Sequence, residues 1–201
     1  MEKITVDKDV FDFLKYVYFK SLSNCYEAAS RRAYLDMCRT IRFNKKNGDE
    51  TRKKVNILIE KEIKALIKTE VDSQAEYDAW HFELCRQIKQ LYDDQNIDFY
   101  MGQSQKWVNM TMKYLYIIGE TDLTGIFEFL HVPLDNYIFN AVEKELGIKK
   151  PKILWSRMTD YDKDYITYQR QIRNRIDLEP LRWEFMFWLK EIEDQKNKIE
   201  A

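Results

Sequence analysis

Apolar residues recur at helical spacing along most of this chain. Between about Asp7 and Phe43 they fall at Val10, Phe13, Leu14, Val17 and Tyr18, then at Tyr34, Leu35, Cys38 and Ile41. Ser21 to Asn24 divides this stretch into two helices. Thr51 to Thr69 places Val55, Leu58, Ile59, Ile63, Leu66 and Ile67 on one side, the signature of a packing helix. A further helix from about Ser73 to Tyr92 carries Tyr77, Trp80, Leu84, Ile88 and Leu91, with Ser73 as N-cap and Glu76 three residues on. Asp93 to Asn96 ends it. From Gln105 onward Trp107, Val108, Met110, Met112, Leu115, Tyr116, Ile117 and Ile118 cover most of a helix surface, which predicts burial on several sides. Helices are also expected over Tyr137 to Leu146, over Asp160 to Arg175, and from near Leu178 with Pro180 in the first turn, followed by a charged tail from Lys190.

Composition narrows the fold class. Five glycines and three prolines in 201 residues are too few to turn a β-sandwich or barrel, and 45% hydrophobic content is enough for a real core. The expected fold is all-α, a compact two-lobed bundle of about eight helices with a central cleft. It reads as a single domain of residues 1–201, with lobes at 1–99 and 100–201. No stretch of about 18 apolar residues occurs, and the amino-terminal ten residues lack a signal-peptide core. A soluble, cytoplasmic protein is expected, with no membrane partner. Cys25, Cys38 and Cys85 are too few and too scattered for a disulfide framework or a metal-ligand pair, so reduced thiols and no metal cluster or cofactor are expected.

A net charge of -1 excludes a global basic field, so any nucleic-acid contact rests on local patches. One such patch lies between Arg31 and Lys54, where nine basic residues face three acidic ones. It can serve phosphates, or be no more than a solvated helix face with a basic loop. His81 stands alone on its helix and no role is assigned to it. The stretch from Tyr100 to Phe139 is the most distinctive. It opens on a Gly-led polar turn, continues as the buried helix, and closes on Val132-Pro133-Leu134-Asp135. Gln103, Lys106, Asn109 and Lys113 follow one another by three, three and four residues and read as one stripe. Lysines on a buried helix are costly unless they line a cleft or meet a partner. Lys106, expected in the first turn, would sit at the positive end of the helix dipole in a dry setting, which lowers an ammonium pKa and makes a nucleophile.

The segment Tyr100-Met101-Gly102-Gln103-Ser104-Gln105-Lys106, with the helix that follows, resembles the hairpin and helix of the helix-hairpin-helix DNA glycosylases that carry a catalytic aspartate. His131-Val132-Pro133-Leu134-Asp135-Asn136-Tyr137-Ile138 resembles the segment that bears that aspartate. Lys106 and Asp135 come in the family's order and 29 residues apart, closest to the archaeal 8-oxoguanine glycosylase branch. About 40 of the 201 residues carry the likeness; Met101 stands where the hairpin has proline, and Ser104 where it has a second glycine. The resemblance implies a DNA partner with a modified base in duplex or single strand, excised by nucleotide flipping, with Lys106 as nucleophile at the sugar C1′ and Asp135 as the carboxylate that stabilises the sugar cation. It implies DNA or base contacts from Gly102, Gln103, Ser104, Gln105, Asn109, Lys113 and His131.

Each of these residues also has a plainer expectation. Asp135 can cap the next helix, a role compatible with catalysis. His131 can pack near the Val132-Pro133 bend, and Lys113 can snorkel to the surface. The aromatic stripe Tyr161, Tyr165, Tyr168 suits a core as well as a stacking platform. The competing function is a non-catalytic helical module that binds nucleic acid or protein, for instance in a mobile-element or phage-defence setting.

Overall fold

A computed structural model describes residues 7–20, 23–43 and 48–200, with side chains to 197. The turn expected over Asn44 to Asn47, with Lys45 and Lys46 of the basic patch, and Ser21 of the expected helix divider lie outside the described residues. Within them the protein is all-α: α1 (Lys8–Phe19), α2 (Cys25–Met37), α3 (Asp49–Leu66), α4 (Gln74–Asp93), α5 (Met101–Ile118), α6 (Asn136–Leu146), α7 (Thr167–Arg173) and α8 (Pro180–Glu200). Short 3-10 turns cover Cys38–Thr40, Thr124–Phe129 and Trp155–Arg157. An isolated antiparallel bridge, Arg42 to Asp98, ties the segment after α2 to the link between α4 and α5.

Helix α5 is the axis of the core. Every residue from Met101 to Leu115 is buried, as the apolar coverage of the sequence predicts from Gln105 onward. Its closest neighbour is α2, whose Ala28, Ala29, Ser30 and Ala33 are small enough to bring the backbones together. Trp107 fills that seam, and its indole N–H donates to the Ser30 carbonyl at 2.9 Å, so a large ring is buried with its one polar group satisfied. α4 packs on another side of α5, and Trp155–Arg157 crosses its first turn. Buried residues from Phe19 to Trp183 form one hydrophobic cluster, so both expected lobes contribute to a single core.

Local chemistry sets most helix ends. Ser73 accepts from the Glu76 N–H, and Asp135 accepts from the Ile138 N–H at 2.9 Å. Gly119 and Gly147 close α5 and α6 at φ 76° and 66°, which suits glycine. Lys15 on α1 reaches the end of α5 and donates to the Ile118 carbonyl at 3.1 Å, a cation at the negative pole of a helix.

Four expectations change. α5 starts at Met101, so the Gly-led segment is helix and not a turn, and Lys106 falls in its second turn. Gly102 is required for another reason: a Cβ there would sit 1.7 Å from the Trp155 carbonyl oxygen. The segment read as one helix from Asp160 begins with a π-helical turn, Tyr161–Ile166, before α7. The charged tail from Lys190 continues as helix, held to α6 by Lys190 with Glu145 at 2.8 Å and by Lys144 with Asp194. Finally, α1 packs through Lys15 and Phe19, and its apolar stripe faces outward.

Candidate functional site

Beside α5 lies a groove of about 560 Å³, lined by residues of α1, α2, α5, α6 and α8 together with Trp155. That volume is in the range of small-molecule sites, about 300–1,000 Å³. α5 contributes Lys106, Met110, Lys113 and Ile117, a true helical face. The residue before α6, Asp135, stands opposite.

Lys106 and Asp135 meet there. The Lys106 Nζ donates to Asp135 Oδ2 at 2.8 Å and to the Pro133 carbonyl at 3.3 Å. The other carboxylate oxygen accepts from the Ile138 N–H, so Asp135 caps α6 and faces the groove at once. The loop that carries it is clamped. Gln169 on α7 accepts from the Val132 N–H at 3.2 Å and donates to the Val132 carbonyl at 2.7 Å. Those two bonds satisfy an extended segment that has no ladder partner and hold Asp135 at a defined depth. The Lys106 side chain is 5% exposed and that of Asp135 18%, so the pair is largely shielded yet reachable from the groove.

A second pair lies seven residues along α5. Lys113 Nζ is 2.7 Å from both carboxylate oxygens of Glu184 on α8. It also sits over the Phe185 ring at 4.8 Å and the Trp188 ring at 5.3 Å. Burial pushes the Glu184 carboxyl above its usual range, and the Lys113 charge only partly offsets this. Arg32 and Arg39 add two cations to the rim against one carboxylate, Asp36. The groove therefore offers paired charges, aromatic faces and a cationic margin.

The remaining candidate contacts face elsewhere. Gly102 donates its N–H to the Met158 carbonyl at 3.1 Å, so that group is not offered to a phosphate. Gln103 accepts from the Tyr100 N–H and donates to Thr40, closing its own helix start and tying it to the turn after α2. Ser104 is fully buried. Gln105 donates to the Gly102 carbonyl and accepts from Asn109. The expected single stripe fans out because three residues fall about 60° short of a turn, so Gln103, Lys106 and Asn109 span about 120° of the helix. Asn109 consequently joins a buried polar network behind α5. It donates to Tyr165 at 2.8 Å and contacts His81 at 2.9 Å. His81 in turn meets Tyr161 at 2.7 Å. His131, expected at a phosphate or at the bend, is buried between Tyr165 and Asp78, each at 2.7 Å. Burial lowers the pKa of both histidines, and Asp78 raises that of His131 only in part. Burial opposes the charge of Asp78, but His131, Gln74 and Arg173 outweigh it and hold its carboxyl at about 2.

Sequence reasoning passed over Glu184, Phe185, Trp188, Tyr137 and Trp155 as groove residues. One signal was present: Glu184 is a lone acid between Trp183 and Phe185 in an apolar run. A larger depression of about 650 Å³ lies at the end of α5, lined by Glu120, Asp122, Glu128 and Glu179 with Arg182, and brings no amine and acid together in this way. No helix among the described residues is long and apolar enough to cross a membrane. Neither protein-family models, nor curated proteins, nor solved structures yield a match to this chain, and the chemistry of the groove rests on its own geometry.

Proposed function

We propose that the protein is a DNA N-glycosylase with associated lyase activity, acting on an oxidised or otherwise modified base. The observation that carries this reading is the contact of Lys106 with Asp135 at 2.8 Å, across 29 residues, at the wall of an aromatic groove. An amine and a carboxylate so placed can perform covalent displacement at a sugar carbon. The target nucleotide leaves the stack at a cost of a few kcal/mol, and ring faces such as Trp188 and Phe185 offset that cost. Lys106 passes a proton to Asp135, and its lone pair forms a bond to C1′. The N-glycosidic bond breaks, its electron pair leaves with the base, and the base takes the proton from Asp135. Once the base has taken that proton, Asp135 is a carboxylate again and stabilises the positive charge left on the sugar–Lys106 adduct. As the sugar ring opens, the C1′–O4′ bond breaks, O4′ takes a proton from the Lys106 nitrogen, and a protonated Schiff base is left at C1′. Asp135, again a carboxylate, then takes a C2′ proton, and the C3′–O bond breaks with its electron pair leaving on the 3′ phosphate. Lys113, held in place by the buried Glu184, presents its ammonium as a donor to the polar edge of the flipped base.

The test is release of free bases from oxidatively damaged duplex DNA, read by mass spectrometry. Wild-type protein releases at least one modified base, and Asp135→Asn releases none. A second reading, a non-catalytic helical module for nucleic acid or protein in a mobile-element or phage-defence setting, is favoured by one feature. Lys106 donates to two acceptors, Pro133 and Asp135, as a cross-link between α5 and the α6 cap would. Binding to DNA without base release from any damaged substrate supports that reading against the first.

A further inference from the structure

Helix α1 inverts the usual amphipathic arrangement. Its packed side carries Lys15 and Phe19, whereas Val10, Phe13, Leu14 and Val17 form an outward stripe with exposures of 44 to 64%. Scattered exposed apolar residues are ordinary, but a contiguous stripe marks an interaction face. Six α1 side chains, the stripe with Phe11 and Tyr16 at its flanks, are at least 44% exposed and lie outside the groove, which Tyr18 lines. At on the order of 100 Å² each they present roughly 600 Å², the lower end of what each partner of a stable complex buries.

We propose that this face is the interface of a homodimer in which α1 of two copies pair antiparallel about a two-fold axis. The stripe is symmetric about the midpoint between Phe13 and Leu14. An antiparallel register sets Val10 against the partner's Val17, and Phe13 against the partner's Leu14, so one patch is complementary to itself. Charge gives the same direction. Asp9 lies exposed at the start of α1 and Lys20 exposed at its end. Antiparallel pairing brings Asp9 near the partner's Lys20, twice over, and opposes the two helix dipoles. A parallel pair would set acid against acid and base against base. An anionic bilayer would meet the acidic Asp9 beside the stripe.

Sedimentation velocity of the whole protein from about 1 to 100 μM tests this. The expected result is a concentration-dependent dimer. Phe13→Lys with Val17→Lys weakens it by at least ~100-fold without changing the circular dichroism, since neither side chain belongs to the core. Asp9→Lys or Lys20→Glu alone weakens it about 10-fold, and the two together restore it. Three results overturn the proposal: a monomer throughout, a dimer indifferent to the stripe substitutions, or a charge swap that fails to restore association. A monomer that co-floats with phosphatidylglycerol/phosphatidylcholine vesicles also overturns it, and assigns the face to lipid.

Discussion

At the scale of single residues, Asp135 carries two tasks that substitution can separate. Asparagine caps a helix about as well as aspartate, while alanine costs about 1 kcal/mol. Asp135→Asn keeps the cap but leaves the buried Lys106 ammonium without its carboxylate, so it is expected to lower stability by roughly 2 kcal/mol in urea melts, and Asp135→Ala by about 1 kcal/mol more; equal losses in both would show that the ion pair with Lys106, and not the cap, dominates. Gly102 makes a sharper case. Its Cβ would land 1.7 Å from the Trp155 carbonyl oxygen, a backbone atom that cannot rotate away. Gly102→Ala is expected to destabilise by roughly 3 kcal/mol in denaturant melts, by the overpacking argument, and a neutral result would mean that the Trp155–Arg157 turn yields freely. The sequence showed this glycine but not its reason, because the atom it avoids lies 53 residues further on. A glycine in a polar stretch looks like a turn until the neighbour that requires it is known.

At the scale of elements, helix starts marked by a capping side chain or a proline were the most legible, whereas the start of α5 and the end of α8 were misplaced. Ser73, Asp135 and Pro180 act on backbone groups within a few residues and can be read locally, while packing carries α5 and α8 past the ends expected for them. Which face a helix buries is a tertiary matter. α1 shows the limit: its apolar spacing predicted the helix correctly, but the packed side is the one that lets Lys15 cap α5. The network behind α5 draws on α4, α5, α7 and the loops between them, and no sequence pattern joins His81 to Tyr161 or His131 to Asp78. It has a pH consequence. His81 and His131 have folded-state pKa values below the unfolded value, so the unfolded chain binds protons more readily. Their contribution is present above the unfolded-state value of about 6.5 and falls as the pH drops below it, by at most about 1.4 kcal/mol per histidine per pH unit. Urea midpoints should fall clearly between pH 7 and pH 5.5, and His131→Gln should flatten part of that slope. A midpoint unchanged over this range would contradict the neutral buried pair.

At the scale of the whole molecule, the all-α class followed from few glycines and prolines and from long apolar periodicities. A cleft was expected, but not its lining, which comes from α1, α2, α5, α6 and α8 where they converge. What the resemblance singled out divides accordingly. Lys106, Lys113 and Asp135 reach the groove, while Gly102, Gln103, Ser104, Gln105, Asn109 and His131 serve the interior. α8 supplies Glu184, Phe185 and Trp188, so the site requires the last helix as well as the central one. Lys113→Met should leave Glu184 buried without its cation, at a cost of about 3 kcal/mol. Thermal or urea melts check this, and the double change Lys113→Met with Glu184→Leu should recover most of the loss.

The proposed chemistry requires a covalent bond between one particular nitrogen and DNA. Borohydride reduction during incubation with duplexes bearing single modified bases reads that bond directly. The expected result is a protein–DNA adduct for at least one modified base, absent in Lys106→Ala and reduced at least ~100-fold in Asp135→Asn. No adduct on any modified duplex, or an adduct that persists undiminished in Lys106→Ala, would contradict the account.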